Sequence, residues 1–172
     1  MEAPVITTDH LELRSWSLTD TDRLWEIFQE PDIFKYFPPM KPSREGVVRY
    51  INRHLGYWNN FHYGHWAVTL KDSGEVLGWC GLEFLPESTE TEVAYLLCHS
   101  AWGKGYATEA ARSAVDYGMK VAGLAGIVGL VDPQNIASQR VLEKCGLAYV
   151  EDKEYFGMVM RRFWLDNPEG KR

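Results

Sequence analysis

The chain has 172 residues, 45% hydrophobic and 24% charged, which are the proportions of a water-soluble globular fold and predict one domain over residues 1–172. A formal net charge of −6 at pH 7 leaves no basic stripe to displace counterions, so no nucleic-acid partner is expected. No apolar run is long enough to cross a bilayer, and Met1-Glu2-Ala3-Pro4 lacks the basic and apolar parts of a signal peptide, so the expected location is cytoplasmic with no membrane partner.

In chain order, Leu11, Leu13 and Ser15 alternate with Glu12, Arg14 and Trp16, as in a half-buried strand. Asp20 to Phe28 reads as a short helix with Leu24, Ile27 and Phe28 on its apolar face and Ser17 or Thr19 as cap. Pro31, Pro38, Pro39 and Pro42 break the next stretch into a loop. A second helix is predicted from Ser43, its cap, to about Trp58, with Val47, Tyr50, Ile51 and Leu55 on one side. His65 to Leu70 and Glu75 to Leu85 form a hairpin around Lys71-Asp72-Ser73-Gly74, and Thr91 to Cys98 adds a further antiparallel strand. A small-residue helix (Ala107, Ala110, Ala111, Ala114, Gly118) then crosses over to Gly126 to Val131, which should lie parallel to the strand before it. Asn135 to Lys144 is a helix ended by Gly146 in a left-handed cap, and Leu147 to Glu151 with Tyr155 to Leu165 closes the sheet. The expected fold is α+β: one mixed, mostly antiparallel sheet with a parallel pair and helices on both faces.

Cys80, Cys98 and Cys145 are odd in number and without metal-type spacing, which fits free thiols, and Cys98 reads as a small buried hydrophobe rather than a nucleophile. His62 and His65 flank an aromatic turn with no matching Cys or carboxylate cluster, so no metal is assigned.

The most specific stretch is Trp102-Gly103-Lys104-Gly105-Tyr106-Ala107-Thr108, between a strand and a helix start. The first backbone N–H groups of a helix have no intrahelical acceptor and sit at the positive end of its dipole. Two glycines just ahead of them let an anion approach the main chain. Taken alone, the pattern is equally a plain strand-to-helix turn.

This segment resembles the acetyl-coenzyme A signature of the GNAT superfamily of N-acetyltransferases, Gln/Arg-x-x-Gly-x-Gly/Ala. Trp102 stands where the family has Gln or Arg, a form similar to the RimJ/RimL-type branch. The likeness runs through Leu11-Glu12-Leu13-Arg14, Asp20 to Ile27, Glu30-Pro31-Asp32, Pro42-Ser43-Arg44-Glu45, Gly78, Glu92-Val93-Ala94-Tyr95, Asn135-Ile136-Ala137-Ser138 and Glu143 to Leu147.

The resemblance implies acetyl-CoA as cosubstrate, with its pyrophosphate on residues 102 to 108 and its pantetheine arm beside Tyr95, Leu96 and Leu97 and contacting Asn135. Many members protonate the departing thiolate with a tyrosine seven residues past that asparagine. Here that position is Leu142, and Ser138 is the expected replacement. Lys104, Arg140 and Lys144 are ordinary solvated charges that also stand near the phosphates.

The acceptor must be a neutral primary amine. At pH 7 a lysine-type amine loses about 4.6 kcal/mol to deprotonation and an α-amino group about 1.2. Glu92 is the first candidate base and Glu83 the second, each weighed against a solvated strand carboxylate. Tyr36, Phe37, Trp58, Phe61 and Tyr63 are candidates for an acceptor groove, although aromatics more often fill a core. An acidic, aromatic-walled cleft would favour a cationic amine or a protein N-terminus. A homodimer stays open. So do two other readings: a non-catalytic acetyl-CoA sensor, and a dinucleotide-binding oxidoreductase. Against the second, Thr108 replaces the third glycine and only 64 residues follow it.

Overall fold

The computed structural model describes residues 2–85 and 87–170. Eight strands form one sheet: β1 (Ile6–Thr7), β2 (Leu11–Arg14), β3 (His65–Leu70), β4 (Val76–Leu85), β5 (Glu90–Leu97), β6 (Gly126–Val131), β7 (Ala148–Tyr155) and β8 (Met158–Asp166). Their spatial order is β1-β2-β3-β4-β5-β6-β8-β7, antiparallel throughout except for β5 and β6. Four helices, α1 (Thr21–Phe28), α2 (Arg44–Phe61), α3 (Tyr106–Lys120) and α4 (Ile136–Lys144), cover both faces. This explains the nearly unbroken burial of β3 and β4, whose sequences are apolar runs rather than alternations.

Leu11 and Leu13 are fully buried, as alternation requires, each contributing about 1.5–3 kcal/mol of apolar burial. The alternation lapses where β2 ends at Arg14, and Trp16, expected on the polar side, is buried with its ring edge on Tyr50. Ser17 caps a short 3-10 turn, Leu18–Asp20, ahead of α1, and Asp20 is held by two hydrogen bonds from Arg14 at 2.9 and 2.8 Å. Ser43 caps α2 by accepting from the Gly46 N–H at 3.0 Å. That helix runs to Phe61, three residues past the expected end, and stops at His62 in a left-handed conformation (φ 60°).

Gly146 is the left-handed stop of α4, with φ 91°. Tyr155 was expected at the start of the last strand, yet it ends β7 opposite Met158. The intervening turn is Phe156-Gly157, with both φ positive (54° and 73°), the geometry of a two-residue hairpin turn. Phenylalanine is not the residue such a turn normally selects, which is why the turn is hard to read from the sequence.

Candidate active site

The loop between β5 and α3 is left-handed at both glycines, Gly103 (φ 72°) and Gly105 (φ 81°), and a Cβ on either would meet nothing within 4 Å. The space in front of this backbone is therefore open. The first hydrogen bond into α3 runs from Glu109 N–H to Gly105 C=O at 3.0 Å. The amides from Gly105 to Thr108 thus have no acceptor within the helix and stand at its positive end. Trp102 is 57% exposed, and its indole Nε1–H donates to the Leu97 carbonyl at 2.7 Å, tying the loop to the end of β5.

Beside this loop the sheet is split. β5 and β6 share a single register pair, Glu92 with Val128, and diverge beyond it. The bond from Cys98 N–H to Leu77 C=O (2.7 Å) fixes the parity of β5: Glu92, Ala94, Leu96 and Cys98 bond to β4, while Val93, Tyr95 and Leu97 turn their backbone groups toward the gap. Tyr95 presents both its N–H and C=O there, whereas the Leu97 carbonyl is already taken by Trp102. The Leu96 backbone faces β4, so only its side chain reaches the cleft.

Across the gap stands the start of α4. The Asn135 side chain caps it by accepting from Ser138 N–H at 3.1 Å. The Tyr95 hydroxyl lies 2.7 Å from Ser138 Oγ and 3.2 Å from the Ser138 carbonyl. Burial holds the Tyr95 phenol above its ordinary pKa, so it remains a donor. Leu142, at the position where relatives of this motif carry tyrosine, is 1% exposed and packs over Gly129, where an added Cβ would come within 2.6 Å of it. The hydroxyls of this site therefore come from β5 and the first turn of α4.

At the shared rung, Glu92 faces Glu83 on β4. Burial, then the Glu83 charge, pushes the Glu92 carboxyl up to about 8, opposed by the Leu130 backbone N–H. Burial also raises the Glu83 carboxyl above its ordinary value, opposed by the Arg53 guanidinium, which donates to it. Behind Glu83 stand the stacked rings of His54, His65 and Trp79: His54 on His65 at 3.9 Å and His65 on Trp79 at 4.5 Å. Burial holds both imidazoles neutral, His54 at about 3 and His65 well below its ordinary value. Burial keeps Tyr50 protonated; its hydroxyl lies 2.8 Å from His65 Nδ1, and His65 Nε2 lies 3.8 Å from Glu83.

His54, His65 and Glu83 bring one ligand atom each within 4.8 Å of one another. The two rings are parallel to within 11°, however, so their in-plane lone pairs do not converge on one ion at the roughly 2.0–2.1 Å that zinc requires.

One cleft of about 1670 Å³ joins these parts. It is larger than the roughly 300–1,000 Å³ of a single-ligand pocket, so there is room for two. It brings together Tyr36, Phe37, Glu83, Glu92, Tyr95, Leu96, Leu97, Trp102, Gly103, Gly105, Tyr106, Ala107, Thr108, Asn135 and Ser138. Four residues expected at or near the site lie outside it. Trp58 is 1% exposed in the core, against Trp66 and Tyr117, and Lys104 points to solvent on the loop. Phe61 and Tyr63 are also elsewhere, Tyr63 bonding Thr91 Oγ1 at 3.1 Å. Sequence reading gave no site role to Tyr50, Arg53, His54 or Trp79, and weighed His65 only as a metal ligand, which it rejected. The one available signal was the apolar stripe of α2, since His54 and Trp58 share the buried face of Val47 and Ile51.

Comparison with known proteins fits this geometry. Residues 10–148 match the family model described as the acetyltransferase (GNAT) domain. The chain belongs to the GNAT family. It is 33% identical over 147 residues to the Bacillus subtilis protein YkkB, covering 84% of this chain and 85% of that one. It is also 31% identical over 142 residues to the N-acetyltransferase p20 of Bacillus licheniformis, covering 78% and 77%. Among solved GNAT folds, the ribosomal-protein-S5-alanine acetyltransferase of Vibrio fischeri superposes with a TM-score of 0.81 at 17% identity, covering 98% of this chain and 100% of that one. This GNAT chain is an acetyl-CoA-dependent acyltransferase.

Proposed function

We propose that the protein transfers an acetyl group from acetyl-CoA to a primary amine by direct attack in a ternary complex. The observation that carries this reading is the split between β5 and β6, which opens beside the glycine loop and closes on a carboxylate pair. In this reading the amides of residues 103 to 108 hold the pyrophosphate, and the free edge at Tyr95 takes the amides of the pantetheine arm as a neighbouring strand would. The bound cosubstrate supplies an activated thioester.

Glu92 is the base. Its carboxyl is largely protonated at pH 7 in the free protein. The charge of an incoming ammonium favours the carboxylate, Glu92 releases its proton to solvent, and the carboxylate so formed takes the amine proton directly or through a water. Glu83, which accepts from Arg53 and faces Glu92 across the strands, is the second carboxyl group toward which the ammonium is drawn. Ser138 serves the departing sulfur: in this reading the single Tyr95 hydroxyl proton goes to Ser138 Oγ, the shorter of its two contacts, which leaves the Ser138 hydroxyl proton to point at the thiolate.

Trp102 in the signature supports the RimJ/RimL-type branch, as does the likeness to an acetyltransferase that acts on a ribosomal-protein alanine. A protein N-terminus is accordingly one of the acceptors considered. The test is thiol release from acetyl-CoA across N-terminal peptides, polyamines, aminoglycosides and amino acids. Turnover with any amine supports transfer. Tight acetyl-CoA binding with no turnover on the whole panel would leave a sensor, and thermal stabilisation by NAD but not by acetyl-CoA would point to a dinucleotide enzyme.

A further inference from the structure

The acceptor end of the cleft is not the acidic groove that the chain's overall charge suggests. In a protein of net charge −6, the side chains lining the cleft include six cations (Lys35, Lys41, Arg49, Arg53, Arg140, Lys144) and four carboxylates (Asp32, Glu83, Glu92, Asp132). Arg140 and Lys144 belong to α4, on the side assigned to the cosubstrate, leaving four cations at the other end.

Among these four, only Arg53 has a carboxylate partner among the described residues, and that partner is Glu83. Lys35 rests over the Tyr36 ring at 5.2 Å, Lys41 is exposed on the loop before α2, and Arg49 lies one helical turn before Arg53. Arg49 has Glu45 a turn away, the usual i,i+4 partner, yet its guanidinium lies over Gly46, 3.8 Å from where a Cβ there would stand. It lines the cleft and leaves that pair unmade. Two arginines at i and i+4 also repel one another on a helix, so their spacing does not serve the helix itself.

We propose that the acceptor amine carries an anionic group, held by Arg49 with Lys41 and Lys35. This rests on the N-acetyltransferase reading. The amine sits at the facing carboxyl groups of Glu83 and Glu92. Arg49 is about 6 Å further along α2 than Arg53, the guanidinium bound to Glu83. The substrate is therefore a primary amine with a carboxylate or phosphate several bonds away, such as an ω-amino acid or an acidic peptide N-terminus. Tyr50, Trp79 and Phe37 form an aromatic wall of the same cleft, suited to the aliphatic segment between the two charges.

Two matched sets of acceptors test this. The small-molecule set is 5-aminopentanoate, pentylamine and cadaverine. The peptide set is the amides Ala-Glu-Phe, Ala-Gln-Phe and Ala-Lys-Phe. Acetylation is measured as kcat/KM, and binding of the same six compounds to the CoA-loaded chain is measured by calorimetry. In at least one set the anionic member should exceed the cationic one at least tenfold, and the set that does so identifies the source of the anion. Arg49→Glu should collapse that preference at least tenfold, chiefly through KM. The same charge change at Lys120, on α3 outside the cleft, should preserve it.

A flat or reversed charge ranking in both sets would overturn the proposal, as would an equal effect of Arg49→Glu on all members of a set. If no acetyl transfer occurs, the transferase reading fails, and the calorimetric ranking still decides whether the cleft selects an anion.

Discussion

The two ends of the cleft are built from different material. The end proposed for the cosubstrate is built around main chain: left-handed glycines, helix-start amides and a strand edge. The acceptor end is side chain: Glu83, Glu92, Arg53, and the stacked rings of His54, His65 and Trp79, gathered from α2, β3, β4 and β5. A main-chain site constrains few residue types, but strictly. A side-chain site can be rebuilt one residue at a time, which is how one fold serves many amines.

The contrast can be broken most sharply at Gly105. Gly105→Glu forces a side chain onto a left-handed residue (φ 81°) and sets a carboxylate where the pyrophosphate belongs. Acetyl-CoA affinity by calorimetry should fall at least 100-fold, about 2.7 kcal/mol. Near-normal affinity would move the cosubstrate elsewhere.

Glu92→Gln comes next. Turnover should fall about 10²–10³-fold, in the range of lost general-base catalysis. Wild-type kcat/KM should rise with pH through about 8, where the Glu92 carboxyl ionises, and the variant should keep only the rise that comes from deprotonation of the amine itself. Stability gives an independent reading. A carboxyl raised in the folded state favours folding fully below its ordinary value near 4.5, and that contribution is lost as pH climbs through 8. Wild type should therefore weaken between these limits in chemical denaturation, while Glu92→Gln should weaken less.

Ser138→Ala should lower kcat about tenfold and leave the acetyl-CoA KM nearly unchanged, because the lost hydroxyl acts on the departing sulfur. A larger change in KM than in kcat would make Ser138 a binding residue. The smallest effect concerns Phe156, a bulky residue at positive φ on the rim of the cleft. Phe156→Asn should relieve about 1 kcal/mol of backbone strain and raise Tm by about 3 °C.

How much of this could be read in the sequence follows the same division. The sheet order around the crossover, the caps at Ser43 and Gly146, and the loop from Trp102 to Thr108 are local patterns, each dictated by backbone geometry that only certain residues permit. The Glu83–Glu92 pair was half visible, since both were candidates, but their facing register depends on how β4 meets β5. Trp58 and Trp79 show the limit. Both are tryptophans in apolar surroundings, and nothing local says that Trp79 stacks at the cleft while Trp58 fills the core. The His54–His65 stack joins residues from α2 and β3 whose contact exists only after folding. Leu142 is a different case: its departure from the family tyrosine was visible, and the Tyr95–Ser138 contact that supplies hydroxyls across the gap was not.

One rung joining β5 to β6 has a mechanical consequence. The sheet is thereby divided into two panels, one carrying β1 to β5 and the other β6, β8 and β7, with α3 packed across both. A long, flexible guest entering along the seam has no full ladder of strand bonds to displace, because the panels are paired at a single rung.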